Sequence, residues 1–535
     1  MSAYTLKLKP YIQPFERALA IDELRTVAKA DPRPLDATVD RAIDFRIEST
    51  VDAKILADRL AYWEIVVARN ALTTVQSLRE STVNVVRNGV PLADIQKQLP
   101  FGQNVPLPNR RCLRYGPHGI HEYRGKFFPQ LVRSLVNLAG VQEGGVIADP
   151  MCGSGTTPVE VSLLGYTAIA LDMNPLSVEI ARTKCQLLSA NADKLGYAYE
   201  DIKAKLIAGR PSRTSTKMPY FDTLPQRDQS YLKNWFSDQV LRDLDQIVVT
   251  IDLVQDLLSR NLMRIALSNI LRRVSWQKED DLRIRKEVRP DVEIDPIREF
   301  LEEIGRSVRA VLAFLRQNGQ PKLGQVEINE GDARQAEQAW AKWIGKVDVI
   351  ITSPPYATAL PYIETDRLSL CYLSLLTRPE HRVRDDKMIG NREVTERGRM
   401  AYWALYERHR QLLPRSIQTL IDKIAKLNDN GDVGFRRRNL AALLAKYFLD
   451  LRAVLVAMAK LLKQGAIAYI VVGNNHTTAG AERVEIDTPS LLADLGELVG
   501  FQQGNHRSMQ MLVSRDIFKK NAGTAEVILE MRRYT

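Results

Sequence analysis

Thr352-Ser353-Pro354-Pro355-Tyr356 brings a hydroxyl, two residues without a backbone N–H and a flat aromatic ring into one short run. Proline cannot donate from its backbone, so the carbonyls around Pro354 and Pro355 are left to face a ligand. The run follows Val347-Asp348-Val349-Ile350-Ile351, a β-branched apolar stretch that predicts a buried parallel strand ending at Ser353. A polar, rigid, aromatic-ended loop in that place suits gripping a planar group that carries an exocyclic amine. Alone it reads equally well as an ordinary strand-ending turn; what lies upstream decides between the two.

Upstream, Val146-Ile147-Ala148 runs into Asp149-Pro150-Met151-Cys152-Gly153-Ser154-Gly155-Thr156. The pattern predicts a short strand, an acidic residue, a Gly-x-Gly turn and a helix opening near Thr156 or Pro158. Glycine permits the sharp turn and a close backbone approach to a ligand. Ala168-Ile169-Ala170-Leu171-Asp172-Met173-Asn174 then predicts a second strand ending in an acid, the place where a doubly wound fold holds ribose hydroxyls. Pro175 sits where a helix takes its first residue. A third strand, Val326-Glu327-Ile328-Asn329-Glu330, ends at Gly331-Asp332-Ala333.

Taken together, D-P-x-x-G-S-G-T and T-S-P-P-Y resemble the motifs of the S-adenosyl-L-methionine-dependent DNA amino-methyltransferases, which modify N4 of cytosine or N6 of adenine. The resemblance covers roughly residues 118–184 and 326–535, with the cofactor motif ahead of the catalytic one. It implies an α/β fold of the Rossmann-like class I methyltransferase type, with a mostly parallel seven-stranded sheet. It implies S-adenosyl-L-methionine as cofactor, held by Phe128, Asp149, Pro150, Gly153, Gly155, Thr156, Asp172, Asn174 and Asp332. Asp332 stands at the family position that meets the adenine amine, and Phe128, in Gly125 to Pro129, at that of an aromatic beside the cofactor. Met151-Cys152 departs from the aromatic that usually follows D-P. Ser353, Pro354, Pro355 and Tyr356 are the implied catalytic set. The Ser353 hydroxyl and the Pro354 carbonyl would accept hydrogen bonds from the target amine, and Tyr356 would stack on a base drawn out of the helix.

Serine ahead of Pro-Pro-Tyr leans toward cytosine N4. Adenine N6 remains open. So does guanine N2 in RNA, since such enzymes carry a similar D-P-x-C-G-S-G-T turn, although with an acidic tetrapeptide that Ser353 departs from. A non-catalytic nucleic-acid-binding module is the reading from another class, opposed by the intact glycines and acids.

The rest of the chain fits a polyanionic partner. Its 535 residues carry a formal charge of +11, with a pI near 9.3. Cys112, Cys152, Cys185 and Cys371 lack C-x-x-C spacing and the histidines lack H-E-x-x-H, so no metal site or disulfide framework is expected and a reducing, cytoplasmic setting is. No apolar run reaches the roughly 20 residues of a membrane span. Expected partners are therefore DNA and no membrane; any associated restriction or defence protein is not readable here.

Four segments are expected. Residues 1–115 read as a mostly helical region, with helical spacing from Val51 through Leu78. Residues 116–189 hold the cofactor half of the core. Residues 190–325 form a helical insertion, too long for a simple connection, whose Arg272, Arg273, Arg283 and Arg285 are candidates for DNA contact, with Trp276 among them to stack or wedge. Residues 326–535 hold the catalytic half, with a basic addition over 377–448 that supplies Arg392 and Arg397. An amphipathic helix is expected from about Leu449 to Leu462, and an antiparallel pair at the C-terminal end.

Overall fold

The computed structural model describes residues 1–35, 38–39, 41–68, 71–73, 79–80, 82–83, 112–123, 125, 127–209, 217–278, 285–288, 293–318, 321–357, 362–391, 394–429, 434–510 and 525–534. Arg283 and Arg392 lie outside the described residues.

The N-terminal segment departs from its helical expectation. Strands β1 (Ser2–Leu8), β2 (Arg33–Pro34), β3 (Asp44–Ser49), β4 (Trp63–Ala68) and β5 (Ala71–Thr73) form an antiparallel sheet in the order β2-β3-β1-β4-β5. Helices Pro14–Ala28 and Ala53–Arg59 accompany it. The apolar spacing that suggested one helix after Val51 runs from a short helix into β4, where β-branched Ile65, Val66 and Val67 favour the extended backbone. Pairing of Leu6 with Val66 in β1–β4 completes the choice. Tyr4, Leu6 and Leu8 alternate inward along β1 and share one apolar core with Leu131, Leu135, Ile147, Val349 and Ile528. The segment therefore covers one face of the main sheet.

That main sheet contains β6 (Val146–Asp149), β7 (Thr167–Asp172), β8 (Val326–Glu330), β9 (Val347–Thr352), β10 (Leu462–Gly473), β13 (Phe501–Gln510) and β14 (Ala525–Arg533), in the order β13-β14-β10-β9-β6-β7-β8. The five strands from β10 to β8 pair in parallel, and β14 runs antiparallel to both its neighbours. This is the expected seven-stranded Rossmann-like sheet. Side chains alternate between its faces: Ile147, Ala168, Val349, Ile351 and Val471 meet the N-terminal segment. Ala148, Ile169, Ile350, Ile470 and Val472 meet the opposite layer.

The opposite layer is built on one 27-residue helix, Phe435–Leu461, which begins well before the expected Leu449. Its Leu444 and Phe448 pack with Tyr406, Ile417 and Ile421 from helices Glu396–His409 and Arg415–Asp429. The basic addition is thus anchored to the sheet. The hairpin of β11 (Asn475–Ala479) and β12 (Glu482–Ile486) follows β10 directly.

The insertion is helical, as expected. Helices Ala192–Ala208, Asp238–Asp252, Leu257–Leu271 and Pro296–Asn318 bury a common core with Leu176 and Ile180 of helix Pro175–Leu187. Ile363, Leu370 and Tyr372, which follow the Ser-Pro-Pro-Tyr loop, join the same core. The insertion is therefore tied to both halves of the central fold. Among the described residues no helix is long and apolar enough to cross a membrane.

Candidate active site

Chain order leaves β6 in one direction through β7 and β8 and in the other through β9 and β10, and ligands in such sheets bind outside the strand ends at this divide. The Gly-x-Gly turn lies there. Gly153 and Gly155 both adopt positive φ, 49° and 79°. A Cβ on Gly155 would come within 2.6 Å of Ala181 Cβ, so glycine also lets the turn press against helix Pro175–Leu187. Helix Thr156–Leu163 opens directly after it.

Asp149 and Asp172 organise this corner differently. Asp149 is buried; its Oδ1 accepts from the Thr352 hydroxyl at 2.8 Å and from the Met151 amide at 3.1 Å. It thereby joins the two motif-bearing strands, and burial pushes its carboxyl up to about 7. Asp172 accepts the Gly153 amide at 2.8 Å on one oxygen and the Asn174 amide at 2.9 Å on the other. These bonds hold the turn against β7, while burial pushes the carboxyl up to about 6. Asn174 caps the following helix through the Leu176 amide and donates to Asp366 at 2.8 Å.

A cavity of about 340 Å³ opens above these groups. Phe128, Pro150, Gly153, Asp172, Asn174 and Asp332 line it together with Ser353, Pro354, Pro355 and Tyr356. The two sequence motifs are therefore parts of one site. Asp149, Gly155 and Thr156 are not on its wall; the first braces the strands, the second shapes the turn, and Thr156 is buried at the helix start. Met151, which follows Asp149-Pro150, also lines the cavity. Asp332 faces it with its carboxylate held by Arg334, which reaches on to Asp450 at 2.8 Å.

The Ser-Pro-Pro-Tyr loop is fixed at both ends. Ser353 Oγ donates to the Val471 carbonyl of β10 at 2.9 Å, and Asn475 Nδ2 donates to the Ala357 carbonyl at 2.7 Å. The Tyr356 hydroxyl donates to Glu526. Gly390, with φ of 77°, lies so close that a Cβ would sit 2.9 Å from the Tyr356 carbonyl oxygen.

Sequence reasoning passed over Tyr123, Met388, Ile389 and Glu526, which also line the cavity, as does Phe127. Phe127 was signalled by its neighbour Phe128. Met388 and Ile389 belong to the basic addition and Glu526 to the last strand, and no local motif marks them.

The proposed DNA contacts are dispersed. Arg272 and Arg273 line a second, polar cavity with Arg114 and Arg306, and Tyr123 lies on the walls of both cavities. Arg273 already faces Glu299 at 3.7 Å and Glu303 at 3.4 Å. Arg285 and Arg397 are exposed, the latter on helix Glu396–His409. The Lys286 ammonium lies over the Trp276 ring, 4.8 Å from its centre.

A family model described as "UPF0020: RMKL-like, methyltransferase domain" matches residues 121–220. The Type II methyltransferase M.BsoBI of Geobacillus stearothermophilus is 21% identical over 435 residues, covering 74% of this chain and 81% of that protein. The Type II methyltransferase M.MvaI of Kocuria varians is 25% identical over 296 residues, covering 51% of this chain and 62% of that protein. A tRNA (guanine(10)-N2)-dimethyltransferase of Methanothermobacter thermautotrophicus is 39% identical, but over 64 residues, or 12% of this chain and 19% of that one.

The cavity suits S-adenosyl-L-methionine. Asp172 and Asp332 at adjacent strand ends offer acceptors for hydroxyl and amine hydrogens, Phe128, Met151 and Ile389 offer apolar walls, and the bare backbone of Gly153 and Gly331 permits close approach. With these matches, the chain is a methyltransferase whose cofactor is S-adenosyl-L-methionine.

Proposed function

We propose that the chain is a site-specific DNA methyltransferase that acts on the exocyclic N4 amine of cytosine. The observation that carries this reading is the Ser353–Val471 hydrogen bond. It commits the only proton on Ser353 Oγ to the sheet, so the oxygen's lone pairs are left as acceptors for an amine.

When bound, S-adenosyl-L-methionine supplies a methyl group on a positively charged sulfur. A base amine is a poor nucleophile because its lone pair is delocalised into the ring. Ser353 Oγ and the Pro354 carbonyl accept its hydrogens and favour the tetrahedral nitrogen that direct attack requires. Tyr356 provides the flat wall against which a base leaves its stack, a step that costs a few kcal/mol in duplex DNA. Asp172 takes ribose hydroxyl hydrogens, and Asp332, oriented by Arg334, takes the adenine amine. Positioning by this rigid loop carries much of the rate.

The likeness to the Type II methyltransferases extends over most of the chain, whereas that to the tRNA enzyme is confined to a short stretch, which favours DNA over RNA. Serine at the first position of the tetrapeptide favours cytosine over adenine. Residues 190–325 and 377–448 are assigned to holding the strand. Nucleoside analysis after incubation with labelled cofactor and unmethylated DNA or RNA tests the assignment. N4-methylcytosine in DNA is expected. N6-methyladenine alone would replace the base, and label confined to RNA would replace the substrate.

A further inference from the structure

Glu526 is the second residue of the last described strand, β14, and pairs in register with Gly473 at the end of β10. Its side chain reaches the wall of the cavity that holds Ser353 and Tyr356. There it accepts the Tyr356 hydroxyl, a partner 170 positions away in sequence. The Tyr356 ring lies against Gly473: a Cβ on that glycine would stand 3.1 Å from Tyr356 Cε2 and 3.7 Å from Glu526 Cγ. The ring is thus located at two points, its edge against bare backbone and its hydroxyl on a carboxylate. Burial pushes the Glu526 carboxyl upward and the tyrosine hydrogen bond acts in the opposite sense.

We propose that Glu526 is a positioning residue of the methyl-transfer site, holding the Tyr356 ring in the orientation that receives the target base. The inference rests on the base-methylating reading above. Rotation of a tyrosine about its side-chain bonds is limited by packing and by its hydroxyl partner, and a hydrogen bond to a carboxylate is among the stronger ones available. The partly buried ring packs beside Gly473, and a partner at its hydroxyl adds a directional stop to its tilting. The carboxylate of β14 supplies that stop, so the antiparallel end of the sheet completes the substrate side of a site whose cofactor side is built from the parallel strands.

The test uses the full chain with DNA as substrate, comparing Glu526→Ala, Glu526→Gln, Tyr356→Phe and the double variant Tyr356→Phe/Glu526→Ala. Single-turnover rates against DNA concentration are read beside cofactor affinity by calorimetry. Glu526→Ala and Tyr356→Phe are each expected to lower methylation at limiting DNA by about 3–10-fold with unchanged cofactor affinity, the scale of one hydrogen bond. The double variant should be no worse than the poorer single variant. Glu526→Gln, which keeps an acceptor oxygen, should recover most of what alanine loses. Multiplying losses in the double variant, a glutamine variant as poor as alanine, or a Glu526→Ala chain equal to the parent would each overturn the proposal alone. A parent chain that methylates no base in DNA or RNA would overturn the underlying reading, and this inference with it.

Discussion

Ser353, the residue that follows β9, and Val471 of the neighbouring β10 are joined by a 2.9 Å hydrogen bond from the serine hydroxyl to the valine carbonyl. The bond fixes the direction of the hydroxyl proton and so the direction of the oxygen lone pairs. Ser353→Ala removes the acceptor while leaving Asp172 and the Gly-x-Gly turn in place. Methyl transfer should fall by roughly 10²-fold or more, the loss typical of one preorganised transition-state partner, with cofactor affinity nearly unchanged. Single-turnover kinetics beside a binding isotherm check it. A rate equal to the parent would remove Ser353 from the reaction.

Asp172 should give cofactor binding a pH dependence. Both its oxygens accept backbone amides, and its carboxyl lies near 6 because burial outweighs those bonds. The ionised form is the better acceptor for a ribose hydroxyl. Cofactor affinity should therefore rise as pH increases through about 6 and level off above it. Asp172→Asn should flatten the profile, and Asp172→Ala should weaken binding by about 1–3 kcal/mol. Calorimetry from pH 5 to 8 provides the comparison.

The parts of the fold that were legible in the sequence are those where local pattern and tertiary demand agree. Parallel strands covered on both faces read as continuous apolar runs, so β6, β7, β9 and β10 stand out, and a Gly-x-Gly turn has few uses after such a strand. The N-terminal segment was misread because the spacing of Ile55, Leu56, Leu60 and Trp63 fits a helix, while pairing with β1 decides the outcome beyond Arg59. Glu526, Met388 and Ile389 carry no motif: only the order of β10 and β14 and the path of the basic addition bring them to the cavity. Arg273 illustrates the reverse case, a basic residue in a promising run whose position beside Glu299 and Glu303 gives it a structural use.

Behind the cofactor turn, Glu160 is buried with Arg133 at 2.9 Å and His118 at 2.8 Å, and the Tyr115 hydroxyl donates to it. These partners overcome the burial penalty and hold its carboxyl down at about 2. Because the folded value lies below the ordinary 4.5, the stability it contributes is complete above about 4.5 and is lost as pH falls toward 2. Asp149, raised to about 7, works with the opposite sign: its contribution declines as pH rises from its ordinary range through 7. Glu160→Gln leaves Arg133 buried beside a neutral partner and should cost about 3–5 kcal/mol near neutral pH. The gap to the parent should narrow below pH 4.5, as denaturant titrations at pH 7 and pH 3.5 would show.

Nucleic-acid binding should weaken steeply with salt, since each neutralised phosphate releases counterions and contributes about 0.9 to the slope of log K against log salt for a duplex. Some of the basic residues are already used within the fold. Arg384 spans from the Met173 carbonyl to Glu330, and Arg273 lies between two glutamates, so both are used within the fold. Arg285 and Arg397 are exposed on the insertion and on the basic addition respectively. Replacing the exposed Arg397 by alanine should reduce the slope by about 0.9 and weaken binding alike on all sequences, the signature of a phosphate contact. Arg273→Ala should leave the slope unchanged and lower the unfolding midpoint instead. Fluorescence anisotropy over a salt series measures the slopes and thermal unfolding measures the midpoint. An unchanged slope for Arg397→Ala would assign this surface to solvent.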